Sequence, residues 1–241
     1  MVEIRDLRKR FGALTALDGV SLTIRPGEIT YVVGPNAAGK STLLKCMVGL
    51  VHPDAGRIAI DGTVVNGGWR YRNRIGYVAQ SPRFPEAASP RELITFLADL
   101  RGTSARNGSH LAELFGLGPA MNRPLRYLSG GTRQKISLVL AAMFDPEILV
   151  MDEPTVGLDP LASRRHKQWL CEERARGKTV IVASHLMAEL EELADRLVFM
   201  LDGRIYFDGP PSQALEAGGE RTLEAAIAKM MEEGAAACAA C

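Results

Sequence analysis

An α/β fold, with a mainly parallel core sheet flanked by helices, is predicted by three observations. Apolar clusters alternate with helical patterns along the chain. A strand-like run, a glycine-rich loop and a helical pattern follow one another from residue 29 to 50. The apolar run Ile148 to Met151 then ends on two adjacent carboxylates, Asp152 and Glu153.

The elements follow in order. Ile29 to Val33 reads as a buried strand, and Ser41 to Leu50 as the helix behind the loop. Ile58 to Ile60, Ile75 to Val78, Ile148 to Met151, Thr179 to Ala183 and Leu197 to Leu201 read as further strands. The last three flank helical segments at Leu161 to Ala175 and Met187 to Ala194, which implies right-handed crossovers in a parallel sheet. From Pro82 to Phe144 the pattern is mostly helical, broken by a polar stretch from Arg101 to Ser109; this predicts an inserted helical subdomain with an exposed inner loop. Residues 222 to 233 form a short amphipathic pattern opening on Thr222, with Ala225 where a capping box would place an acid.

Composition narrows the function. The 241 residues suffice for one large domain and would crowd two. With 29 Lys+Arg against 28 Asp+Glu, no electrostatic grip on nucleic acid or anionic lipid is implied. The basic stretch Arg5 to Arg10 reads as a solvated surface. No apolar run approaches the roughly 20 residues that span a bilayer, and the segment from Met1 to Asp6 has no apolar leader. Cysteines 46, 171, 238 and 241 have no disulfide-framework spacing, which fits a reducing compartment. Cys238-Ala239-Ala240-Cys241 is formally a CxxC; it reads as a frayed tail or as a transient soft-metal site.

The chemistry begins at Gly34-Pro35-Asn36-Ala37-Ala38-Gly39-Lys40-Ser41-Thr42, which fits GxxxxGK[ST] in the strand-loop-helix context that pattern requires. Glycines let the backbone bend around phosphates and present N–H donors at a helix start. Lys40 adds a point charge for the β- and γ-phosphates, and Ser41 a hydroxyl for Mg²⁺. Asp152 and Glu153 would lie at the carboxyl edge of the sheet beside those phosphates. Such a pair also serves as a helix cap, but Pro154 follows directly and a phosphate motif is present. Leu128-Ser129-Gly130-Gly131 opens a helical pattern through Arg133 to Phe144, offering a second anion-binding end.

Together, the phosphate motif and Leu128-Ser129-Gly130-Gly131, upstream of Ile148 to Glu153, resemble the ATP-binding subunits of ABC transporters, a branch of the P-loop NTPases. The resemblance runs in order from Phe11 to Gly209. It implies an N-terminal antiparallel β region and a single ABC ATPase domain over 1–241, with a helical subdomain at about 82–144 and a helical tail at about 210–241. It implies ATP and Mg²⁺ as cofactors, with Asp152 holding Mg²⁺ through water and Glu153 polarising the attacking water. Gln80 matches the glutamine that contacts the Mg²⁺ and water region, and His185 the histidine that contacts the γ-phosphate. Phe11 matches the aromatic that stacks on adenine, and Gly157-Leu158-Asp159 the D-loop. Ser129, Gly130 and Gly131 would meet an ATP held by a second copy, so that two chains facing head to tail sandwich two ATP molecules. Two departures stand out. Ala37 occupies a place where the family commonly has glycine, and alanine tolerates positive φ poorly. Thr132 stands where glutamine is common.

The resemblance implies polytopic membrane permease partners, no nucleic acid, and a peripheral position on the cytoplasmic face of the cell membrane. Asp152-Glu153-Pro154-Thr155-Val156-Gly157-Leu158-Asp159-Pro160 is similar to ATPases of ABC-2-type exporters, and importers more often carry Ser-Ala-Leu-Asp at this point. An importer ATPase and a soluble ABC ATPase of an assembly complex, such as iron–sulfur assembly, are the alternatives. A non-hydrolysing nucleotide binder is disfavoured by Glu153, Gln80 and His185. The surface that would meet a membrane partner, near Gln80 to Leu97, contains Phe84 and Phe96.

Overall fold

The computed structural model describes residues 1–65 and 68–239, with the side chains of 234–239 excluded. The Cys238/Cys241 pair therefore lies outside the described residues. Two sheets make up the β structure. The first contains β1 (Val2–Phe11), β2 (Leu14–Ile24), β4 (Ala55–Ile60) and β5 (Thr63–Val64) in the order β2-β1-β4-β5, all antiparallel. This is the antiparallel N-terminal region, and it takes in the strand at Ile58 to Ile60. The second sheet contains β3 (Ile29–Val33), β6 (Ile75–Val78), β7 (Ile148–Asp152), β8 (Thr179–Ala183), β9 (Arg196–Leu201) and β10 (Arg204–Gly209), ordered β10-β9-β3-β8-β7-β6. It is parallel throughout except for the edge pair of β9 with β10.

Every residue of β3, β7 and β8 is buried, as expected for parallel strands covered on both faces. Alternation along the strands divides the interior into two apolar layers. Val32, Val150, Ile181 and Val198 face α1 (Lys40–Met47) and the antiparallel sheet. Tyr31, Leu149, Val182 and Phe199 face the other way. There they pack with residues of α2 (Pro90–Arg101), α3 (Gly108–Leu114), α4 (Gly130–Ala142) and α5 (Pro160–Ala175), and of α6 (Met187–Leu193), α7 (Pro211–Gly218) and α8 (Leu223–Ala239).

Local chemistry sets the helix ends. Ser89 caps α2 in a reciprocal box: its backbone N–H donates to Glu92 Oε2 at 2.7 Å, and Glu92 N–H donates to Ser89 Oγ at 3.3 Å. Asp159 caps α5 through Ala162 N–H at 2.9 Å, with Pro160 at the first helical position. Thr222 Oγ1 accepts from Ala225 N–H at the start of α8, so the hydroxyl half of that cap forms without an acid. The helix expected over Ser41 to Leu50 ends at Met47, because Gly49 turns to φ 71°. The inner loop of the helical stretch is shorter than expected, since α2 reaches Arg101 and α3 starts at Gly108. Arg5, Arg8 and Arg10 of β1 are exposed, with Arg8 paired to Asp18 at 2.5 Å, whereas Lys9 is half-buried and pairs with Asp54 at 2.8 Å. Cys46 and Cys171 are free thiols. No described helix is long and apolar enough to cross a membrane.

Candidate functional site

The carboxyl ends of β3, β8 and β7 lie side by side, so the loops that leave them converge on one edge. A cleft of about 240 Å³ opens there, lined by Asn36 to Thr42, Gln80, Asp152 and Glu153, together with exposed Phe11 and Leu14 and buried Ala16. The loop after β3 is built for close backbone approach. Gly39 precedes α1 at φ 100°, where a Cβ would overlap the carbonyl oxygen of Ala16. Ala38 N–H closes a turn onto Pro35 O at 3.3 Å, and that turn holds Ala37 at φ 66°. The alanine thus takes the left-handed conformation that its sequence position called into question.

Lys40 Nζ donates to the carbonyls of Gly34 at 2.7 Å and Pro35 at 2.9 Å, tying the helix start to the first residues of the loop. Burial holds its ammonium below the ordinary lysine range, opposed by the charges of Glu153 and Asp152. Asp152 is almost fully buried beside Ser41 in the cleft wall, and burial pushes its carboxyl above the ordinary range. Glu153 is buried with φ 49°, in the left-handed region that costs a non-glycine residue free energy. Its backbone N–H continues the ladder to Ala183 O at 2.8 Å. One carboxylate oxygen, Oε1, meets His185 Nδ1 at 2.8 Å; the other, Oε2, is buried with no hydrogen-bond partner. The His185 side chain is 63 % exposed.

Of the residues singled out in the sequence, the fold brings Phe11, Asn36 to Thr42, Gln80, Asp152 and Glu153 together in the cleft, and His185 joins through Glu153. Gly34 and Pro35 lie behind it as acceptors for Lys40. Ser129, Gly130, Gly131 and Asp159 do not line it. Ser129 caps α4 through Thr132 N–H at 3.2 Å and shares a 2.9 Å hydroxyl contact with Thr132, the residue that departs from the usual glutamine. Gly131 abuts the carbonyl of Gly157 so closely that a Cβ would overlap it. Lys135 pairs with Asp159 at 2.5 Å, and Gln134 Nε2 donates to Pro154 O at 3.0 Å. The helix that begins at Ser129 is therefore fastened to the loop that follows Glu153 in the same chain.

Sequence reasoning missed Leu14 and Ala16 in the cleft, and the buried polar contacts of Gln134, Thr155 and Glu189. The strand pair β1–β2 was the signal for the first two. The others carry no local signature.

A family model described as ABC transporter matches residues 17–156. Nod factor export ATP-binding protein I of Burkholderia lata is 38 % identical over 223 residues, covering 90 % of this chain and 73 % of that protein. Lantibiotic transport ATP-binding protein SrtF of Streptococcus pyogenes is 30 % identical over 210 residues, covering 86 % and 90 %. Among solved structures, one described as the ATP-binding subunit of an ABC transporter superposes with a TM-score of 0.89 at 27 % identity, covering 96 % of this chain and 99 % of that one.

Proposed function

Because the chain belongs to the ABC transporter family of ATP-binding subunits, we propose that it powers an exporter by binding ATP between two copies of itself and hydrolysing it at Glu153. The observation that carries this reading is the pairing of Glu153 with His185 beside a phosphate loop, with one carboxylate oxygen buried and free. Export is supported by the names of the relatives, a Nod factor exporter subunit and a lantibiotic transport subunit, and by the Thr155 to Asp159 wording of the D-loop.

The phosphate loop and Lys40 bind the β- and γ-phosphates, and Phe11, 49 % exposed in the cleft lining, offers a face for adenine. Ser41, Asp152 and Gln80 supply only oxygen donors, the set a hard divalent ion takes. A cation there also offsets the cost of burying the Asp152 carboxylate. Mg²⁺, when bound, neutralises charge on the β- and γ-phosphates. Glu153 Oε2 accepts a hydrogen bond from the attacking water. As the water oxygen bonds to the γ-phosphorus, the bond from that phosphorus to the β–γ bridging oxygen breaks and its electron pair leaves on ADP. One water proton passes to Glu153 Oε2 and from there to solvent, while the other stays on the phosphate product. His185 keeps the Glu153 side chain oriented and offers a contact to the γ-phosphate.

Ser129 and the N–H groups of Gly130 and Gly131 lie outside this chain's own cleft, which supports the head-to-tail arrangement in which they complete a second copy's site. A polytopic permease at the cytoplasmic face of the membrane is the proposed second partner. The supporting surface is a groove of about 290 Å³ lined by residues that include Leu50, Tyr77, Phe84 and Leu140, with Phe96 60 % exposed on α2. Thus Phe84 is half-buried and Phe96 is free for contact.

Glu153→Gln tests the reading, because it keeps the binding groups and removes the base. ATP hydrolysis should fall at least about a hundredfold, while ATP converts the variant from monomer to dimer in size-exclusion chromatography. Turnover near the wild-type rate would refute the role of Glu153. Affinity purification from detergent-solubilised membranes tests the partner: a stoichiometric polytopic protein supports it, and only soluble partners would move the chain to an assembly complex.

A further inference from the structure

We propose that Glu189 is a positioning residue for ATP hydrolysis, fastening the segment that carries His185 to the segment that carries Glu153. The inference rests on the ATPase reading above. His185 lies in the short link between β8 and α6, and its ring is mostly exposed, so packing does little to fix it. Four residues on, in the first turn of α6, Glu189 is 5 % exposed. Its carboxylate accepts from Thr155 Oγ1 at 3.3 Å and from Ser163 Oγ at 3.5 Å. Thr155 follows Glu153 by two residues and is itself buried, while Ser163 lies in the first turn of α5. One carboxylate thus joins three segments: the base of the His185 loop, the loop after Glu153 and the helix beyond it.

The chemistry of the contact points to a positional role. A buried carboxylate is costly, and these two partners are neutral hydroxyls, so the arrangement supplies direction in place of a strong charge pair. Direction is what the Glu153 segment needs. Its φ of 49° persists only where surrounding bonds over-determine the backbone. Glu153 N–H to Ala183 O and Gln134 to Pro154 O hold it from two sides, and Thr155 to Glu189 holds it from a third. Lys167 on α5 pairs with Glu192 on α6 at 2.5 Å, a second tie across the same seam.

The experiment measures ATP turnover, ATP affinity and thermal unfolding for wild type and for Glu189→Ala, Glu189→Gln, Thr155→Val, His185→Ala and the Glu189→Ala/His185→Ala pair. Loss of the tie should lower kcat by roughly tenfold or more, with ATP affinity changed less than about twofold, in both Glu189→Ala and Thr155→Val. The amide of Glu189→Gln keeps an acceptor oxygen and should restore most of kcat. If Glu189 acts through His185, the double variant turns over no more slowly than His185→Ala alone. Wild-type turnover in Glu189→Ala, or a loss of ATP affinity as large as the loss of kcat, would overturn the proposal. If Glu189→Ala fails to fold, Thr155→Val decides, since it removes one hydroxyl and leaves the carboxylate. Absence of ATP hydrolysis by the wild type, or full turnover in Glu153→Gln, would instead strike the ATPase reading itself.

Discussion

Replacing Ala37 by glycine should stabilise the protein, and the size of the effect follows from the backbone. At φ 66° an L-residue bears a cost of about 1–2 kcal/mol from Cβ crowding against the following carbonyl. Glycine removes that cost but loses more freedom on folding, which returns about 0.5–1 kcal/mol. The Ala37 methyl is exposed and gives up no core contact when deleted. The net gain is therefore about 0.5–1 kcal/mol, or a rise of about 1–4 °C in Tm for a chain of this size. Thermal unfolding followed by circular dichroism, with and without ATP, measures it. ATP affinity should hold or tighten, since the loop already has the shape glycine would favour. An unchanged or lower Tm would show that the left-handed turn carries no strain.

Other substitutions test other parts of the fold. Gly131→Ala places a methyl against the Gly157 carbonyl and should cost about 1–3 kcal/mol of stability. ATP turnover should fall while affinity for the phosphate loop is retained, and equilibrium unfolding together with steady-state turnover would reveal a tolerated contact. His166 is buried beside Trp169 with both ring nitrogens unpaired, and burial pushes its imidazole down to about 3. Above the ordinary value near 6.5 neither folded nor unfolded chain binds the proton. Below it the unfolded chain takes a proton that the folded one refuses, so stability falls as pH drops toward 3. The loss between pH 7 and 5 is about 2 kcal/mol. His166→Leu should abolish that increment in urea unfolding, and an identical pH slope in the variant would refute the assignment.

What could be read from the sequence was what local residues decide. The phosphate loop is nine consecutive residues, and β7 and β8 are unbroken apolar runs, so motif and strands announce themselves. The first strand does not. Val2 and Ile4 are buried in alternation, but Asp6 takes φ 46° and shifts the register, so that Leu7 turns inward out of phase. The pairing of Glu153 with His185 spans 32 residues and depends on β7 and β8 being neighbours. Glu189 was equally hidden. Of Glu189, Glu191 and Glu192 on α6 only the first is buried, and nothing in the local sequence sets it apart.

Helix α4 meets backbone at both of its ends. Near the start Gly131 presses on the Gly157 carbonyl; near the finish the Ala141 carbonyl presses on Gly76 of β6. These two seats are about 15 Å apart along the axis, and neither leaves room for a side chain to give way. A rod held at two such points cannot roll in place or bend between them at low cost. Through these two contacts the Ser129 end of α4 is tied by backbone to the Gly157 loop, and its far end to β6, the strand that leads to Gln80.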